Sequence, residues 1–109
     1  MTALPLDGLQ VVECGRTCMA AYCARLLADA GADVVKVEPP EGDPARRRGP
    51  FPNDAPHPER SGLFLLLNVN KRGMRLDLGR REERSAFARL LGWAQVLVTD
   101  FPPSEARTF

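Results

Sequence analysis

Histidine, tryptophan and tyrosine occur once each, and cysteine and methionine three times each, in 109 residues. Each scarcity excludes some chemistry. The single histidine, His57, sits in a proline-rich stretch with no evident orienting partner, so a Ser-His-Asp or Cys-His relay lacks its base. Cys14, Cys18 and Cys23 leave one thiol over in any pairing, and a structural zinc site normally takes four ligands, so simple buried or half-buried thiols are the plainer reading. Cys18 is the best placed as a nucleophile, because a helix N-terminus lowers a thiol pKa. Unbroken apolar runs such as Leu63–Leu67 are far short of the roughly 20 residues a membrane span needs. Charge of one sign is also missing. Fifteen Lys plus Arg against fourteen Asp plus Glu leave +1, which argues against nucleic acid or an anionic membrane as the main partner. No basic segment followed by an apolar one opens the chain, so the expected setting is reducing and cytoplasmic.

What is present suits one small domain spanning 1–109, at 44% hydrophobic and 27% charged. The clearest pattern is strand, helix, strand. Leu9–Cys14 reads as a strand, Gly15 breaks it and Thr17 is a good N-cap. Met19, Tyr22, Cys23, Leu26, Leu27 and Ala30 follow the spacing of one buried helix face, with Arg25 and Asp29 opposite. Gly31 stops the helix, and Asp33–Glu38 is a second strand rich in β-branched residues. A connection of this length predicts parallel strands.

Residues 39–60 hold seven of the ten prolines and few apolar side chains, so an extended loop is expected there. Its Arg46-Arg47-Arg48 run could meet phosphates, although a solvated charge run is the simpler reading. Ser61 could cap a short helix through Leu67, with a buried strand as the alternative. Met74–Leu78 alternates like a strand, Arg80–Ala94 like a second amphipathic helix, and Gln95–Thr99 like a fourth strand. Ser104 is a candidate cap for a last helix. The sum is an α/β fold with a mostly parallel sheet. Ligands of such sheets sit beyond the strands' C-terminal ends, here Cys14–Met19, Glu38–Gly42, Asp77–Arg81 and Asp100–Ser104.

The first of those turns carries only Gly15 of a dinucleotide-binding Gly-x-Gly-x-x-Gly, so the match to such a site is weak even with Glu38 where a ribose-binding acid would stand. Lys71 and Arg72 put two cations on one turn. They suit a phosphate or carboxylate, or pair simply with Asp77 or Glu38.

Leu4–Glu13, then Leu26–Asp43, then Leu67–Leu78 (Leu-Asn-Val-Asn-Lys-Arg-Gly-Met-Arg-Leu-Asp-Leu) and Gln95–Pro103 follow one another in a familiar order. Together they resemble the opening of the class III coenzyme A transferases, a family that includes α-methylacyl-CoA racemases. The resemblance implies a Rossmann-like large domain, of which this chain is the N-terminal portion, in an interlocked homodimer or joined to a C-terminal complement. It implies CoA or acyl-CoA as substrate together with a carboxylic acid, and no permanently bound cofactor. The family's nucleophilic aspartate lies downstream of the matched region, so none of Asp7, Asp29, Asp77 or Asp100 takes its role. The matched region holds the adenosine and phosphate end of CoA. Carried over by position, Thr17 stands at the turn where relatives pack on adenine, Leu76 matches an adenosine-contacting leucine and Phe101 matches the phenylalanine of an Asn-Phe pair, with Lys71, Arg72 and Arg80 as cations and Asp100 beside Phe101. The chain departs from the family at Ala20-Ala21, where Gly-Pro is usual, at Pro39 and Gly79, where some relatives carry cations, and at Asp100, which replaces an asparagine. A carboxylate at Asp100 adds negative charge close to the phosphates. A racemase of the same family, or a non-catalytic binding module, is the alternative.

Overall fold

The computed structural model describes residues 3–107. Four strands, β1 (Gln10–Glu13), β2 (Asp33–Glu38), β3 (Arg72–Arg75) and β4 (Val96–Val98), form one all-parallel sheet in the order β3-β2-β1-β4. Period-two alternation divides its side chains between two faces. Val11 and Val34 pack with Ala24 and Ala28 of helix α1 (Cys18–Asp29). Val12 and Val37 pack with Phe87 of helix α3 (Arg81–Trp93) and with Leu76. Both faces of the central strands are therefore covered, which explains why β1 and β2 carry valine runs. The expected α/β class and parallel pairing are observed.

The caps follow simple local chemistry. The Thr17 hydroxyl accepts from the Met19 N–H and so starts α1. Gly31, at φ +109°, turns the chain out of α1 where a side chain would run into Asp7 and Leu4. Ser61 caps α2 (Gly62–Leu67) by accepting from the Phe64 N–H, which settles that segment as helix. A last short helix, α4 (Pro103–Ala106), starts after Pro102, with Ser104 inside it rather than at its cap.

Three expectations change. Helix α1 forms where predicted, but turned: its buried side is Ala20, Ala21, Ala24 and Ala28, while Met19 is 79% exposed and Tyr22 and Leu26 are each 51% exposed. The small alanines let the helix backbone come close to the sheet: Val11 and Val34 pack directly on Ala24 and Ala28, and the Ala21 carbonyl accepts from the buried Lys71. Strand β3 comes two residues earlier than its alternation suggests. Its ladder follows β2 only to Glu38, since Pro39 and Pro40 have no N–H to extend it. The proline-rich segment is not simply extended. It holds two 3₁₀ turns, Pro44–Arg47 and Pro52–Asp54, and is tied to Glu38 of β2 by Asp43 and Arg46 and to the start of α2 by Ser61.

Candidate functional site

The parallel register brings all four strand ends to one edge, and a cavity of about 330 Å³ opens there. That is near the lower end of the range of about 300–1,000 Å³ for small-molecule sites. Every strand end contributes: Cys14, Gly15 and Arg16 after β1; Pro39 to Gly42 after β2; Asp77 to Gly79 after β3; Phe101 after β4. Val37, Pro39, Pro40, Leu76, Leu78 and Phe101 make much of the lining apolar, which suits a flat aromatic group.

The turn after β1 is held by Asp100. Its carboxylate accepts from the backbone N–H groups of Arg16 and Thr17, each at 2.9 Å, and from the Thr17 hydroxyl. Burial pushes the Asp100 pKa up, but the bonds from the Thr17 side chain and from the Arg16 and Thr17 backbone outweigh it, so the group titrates below the usual aspartate range. Gly15 is what lets this carboxylate approach: a Cβ there would lie 2.7 Å from Asp100 Oδ1 and 2.8 Å from Ala20 Cβ. The Asp100 charge is directed into the chain's own N–H groups at the start of α1.

Behind the cavity lies a buried ionic cluster that contains both lysines of the chain. Lys36 Nζ reaches Glu13 at 2.6 Å and Asp43 at 2.8 Å. Lys71 Nζ reaches the other Glu13 oxygen at 2.6 Å, and also Asn68 and the Ala21 carbonyl. Burial lowers the pKa of both, but the two carboxylates around Lys36 outweigh it and raise that group. Lys71 has a share of Glu13 and feels the Lys36 charge, so it stays lowered. Nearby, Arg46 holds Glu38 through two bonds of 2.7 and 2.8 Å and stacks 3.7 Å over the Phe64 ring. Burial acts to raise the Glu38 pKa, but Arg46 and the Asp43 N–H bring it below the usual glutamate range.

Of the residues proposed from sequence, Leu76 and Phe101 line the cavity, and Thr17 and Asp100 form its supporting turn. Lys71, Arg72 and Arg80 are not among its lining residues. Lys71 is spent on Glu13 rather than on Asp77 or Glu38. Arg72 makes a two-bonded pair with Asp33, at the opposite end of β2. Arg80 stands just before α3 and faces Glu83 at 3.8 Å. The position of β3 explains the first two: they precede or open the strand, whereas the cavity gathers residues at the strands' C-terminal ends. Burial, followed by the neighbouring Glu13 charge, pushes the Cys14 thiol up to about 11, so it is no nucleophile at neutral pH. Arg16 and Arg47 were not proposed individually, yet both line the cavity. Arg16 stacks 4.9 Å from the Phe101 ring centre and pairs with Glu105. Its place in the turn directly after β1 was the available signal.

A doubly covered parallel sheet with a cleft at its carboxyl edge defines an open α/β domain, the class in which that edge is the usual place for a ligand. The model for CoA-transferase family III matches residues 6–109, and the chain belongs to that family. It is 42% identical over 104 residues to a succinyl-CoA:mesaconate CoA-transferase of Haloarcula hispanica, covering 95% of this chain and 26% of that protein. It is 40% identical over 82 residues to subunit BbsE of a succinyl-CoA:(R)-benzylsuccinate CoA-transferase of Thauera aromatica, covering 75% and 20%. A crystal structure of a CAIB/BAIF family protein from Brucella suis superposes with a TM-score of 0.85 at 34% identity, covering 97% of this chain and 28% of that one. The chain thus spans about a quarter of the length of these relatives.

Proposed function

We propose that this chain is the CoA-holding N-terminal portion of a class III CoA transferase, a protein that moves coenzyme A between carboxylic acids. Family membership together with the cavity at the sheet's carboxyl edge carries the reading. Leu76 and Phe101 in its lining suit an adenine ring, and the Asp100-bound turn at Thr17 keeps the entry to α1 in place. The substrates are a CoA thioester and a carboxylic acid, and CoA is a substrate rather than a resident cofactor. The reacting carboxylate is not assigned to any residue of this chain. Transferase names on the relatives favour transfer over racemisation. The same reading has the protein act in the cytoplasm as a dimer.

Thermal unfolding with CoA tests it. A ligand at roughly 100 times its Kd stabilises the folded state by about 2.7 kcal/mol, or about 10 °C in Tm for a domain of this size. A folded sample that shows no shift at millimolar CoA overturns the reading.

A further inference from the structure

The arginine run that reads as a solvated stretch is divided by the turn that contains it. A 3₁₀ turn advances about 120° per residue, so successive side chains leave in different directions. Arg46 goes inward to Glu38 and Phe64, Arg47 lines the large cavity, and Arg48 lines a smaller neighbouring cavity of about 210 Å³. The inward residue is firmly held. Its guanidinium also donates to the Pro58 carbonyl at 2.9 Å and to Glu59, and the preceding Asp43 is fixed by Lys36. The turn therefore presents Arg47 from a braced support.

Charge around the cavity gives this placement its meaning. Arg16 and Arg47 line it together with Glu41, Asp77 and Glu105, two cations against three carboxylates. The lining as a whole does not attract an anion, so any affinity for one must come from a specific contact. Arg16 is engaged with Glu105 and Phe101. Arg47 makes no ion pair or side-chain hydrogen bond among the described residues.

We propose that Arg47 is the cation that receives a phosphate of the ligand in this cavity, through the charge-assisted, forked hydrogen bonding that suits guanidinium to phosphate. The proposal rests on the CoA reading above and names the residue that makes it work. It moves the phosphate contact from the lysine-arginine turn at Lys71 and Arg72 to the proline-rich segment.

The test compares wild type, Arg47→Gln and, as a control, Arg89→Gln on the exposed side of α3, by calorimetric titration with CoA, 3′-dephospho-CoA and pantetheine. CoA affinity should fall on the order of tenfold or more in Arg47→Gln, as expected for losing a hydrogen bond to a charged group, and by less than about twofold in Arg89→Gln. Pantetheine, which has no phosphate, should bind both variants as it binds wild type. A loss confined to CoA assigns the 3′-phosphate, and a loss shared with dephospho-CoA assigns the diphosphate; both support the proposal. Equal CoA affinity in wild type and Arg47→Gln overturns it and leaves the CoA reading standing. No CoA binding by folded wild type overturns both. Should the variant misfold, phenylglyoxal labelling of wild type mapped by mass spectrometry decides: CoA should protect Arg47 and not Arg89, and equal labelling with and without CoA overturns the proposal.

Discussion

A carboxylate at position 100 changes the meaning of the turn after β1. Read from sequence, Asp100 is a negative charge near phosphates. Read in the fold, it is the acceptor for the first free N–H groups ahead of α1, and its partner condition is the missing side chain of Gly15. The same residue pair shows what sequence can and cannot reveal. Gly15 was legible as a break, because glycine ends strands. Its contact with a residue 85 positions away was not, since only the parallel pairing of β1 with β4 brings the two together. Asp100→Ala should cost about 1–2 kcal/mol at neutral pH, the usual effect of losing a helix-cap acceptor. Because the folded Asp100 titrates below its unfolded value, its contribution is complete above the ordinary aspartate pKa and fades as pH falls through the lower folded value. The stability gap between wild type and variant, measured by urea unfolding, should therefore be constant from pH 5 to 8 and close below about pH 4. A gap that persists undiminished in acid would show that the carboxylate's charge is not what matters.

At the scale of elements, helix positions were legible and helix rotation was not. Periodicity correctly located α1 and α3, and for α3 it also chose the right face: Ala86, Phe87, Leu90 and Leu91 pack on the sheet. For α1 it chose the more hydrophobic of two available faces. Met19, Tyr22, Cys23, Leu26, Leu27 and Ala30 form one helical stripe and the alanines at 20, 24 and 28 another; of the expected stripe, Leu27 does pack against the core. The deciding groups lie on other elements: Val11 of β1 and Val34 of β2 pack directly on Ala24 and Ala28, and Lys71, paired with Glu13, reaches the Ala21 carbonyl. A single sequence gives no hint that its two lysines are buried, because lysine is ordinarily a surface residue. The inversion has a direct consequence for stability. Ala24→Leu, at a fully buried position, should overpack the helix–sheet contact and cost about 1–3 kcal/mol. Tyr22→Ala, at a half-exposed position, should stay within about 0.5 kcal/mol. Chemical denaturation of the two variants orders the faces, and the reverse ranking would restore the original rotation.

At the scale of the molecule, sheet class and the edge at which the cavity opens followed from the strand-helix-strand order alone, since parallel strands fix where their ends gather. The outer surface did not, because it depends on the rotation of α1. With the alanines turned in, Met19, Tyr22 and Leu26 face out, and Leu65 and Leu66 of the neighbouring α2 are also more than half exposed. A net charge of +1 supplies little repulsion to keep such surfaces apart. The protein should therefore associate with itself as concentration rises. Charge and apolar surface can be separated by arithmetic. Tyr22→Glu combined with Leu26→Glu takes the net charge from +1 to −1, and so does Arg81→Glu alone. Repulsion is thus the same in size for all three proteins. Sedimentation velocity at one ionic strength should show weaker association for the double variant, with Arg81→Glu close to wild type. If Arg81→Glu weakens association as much as the double variant does, the self-contact does not run through the turned-out face of α1.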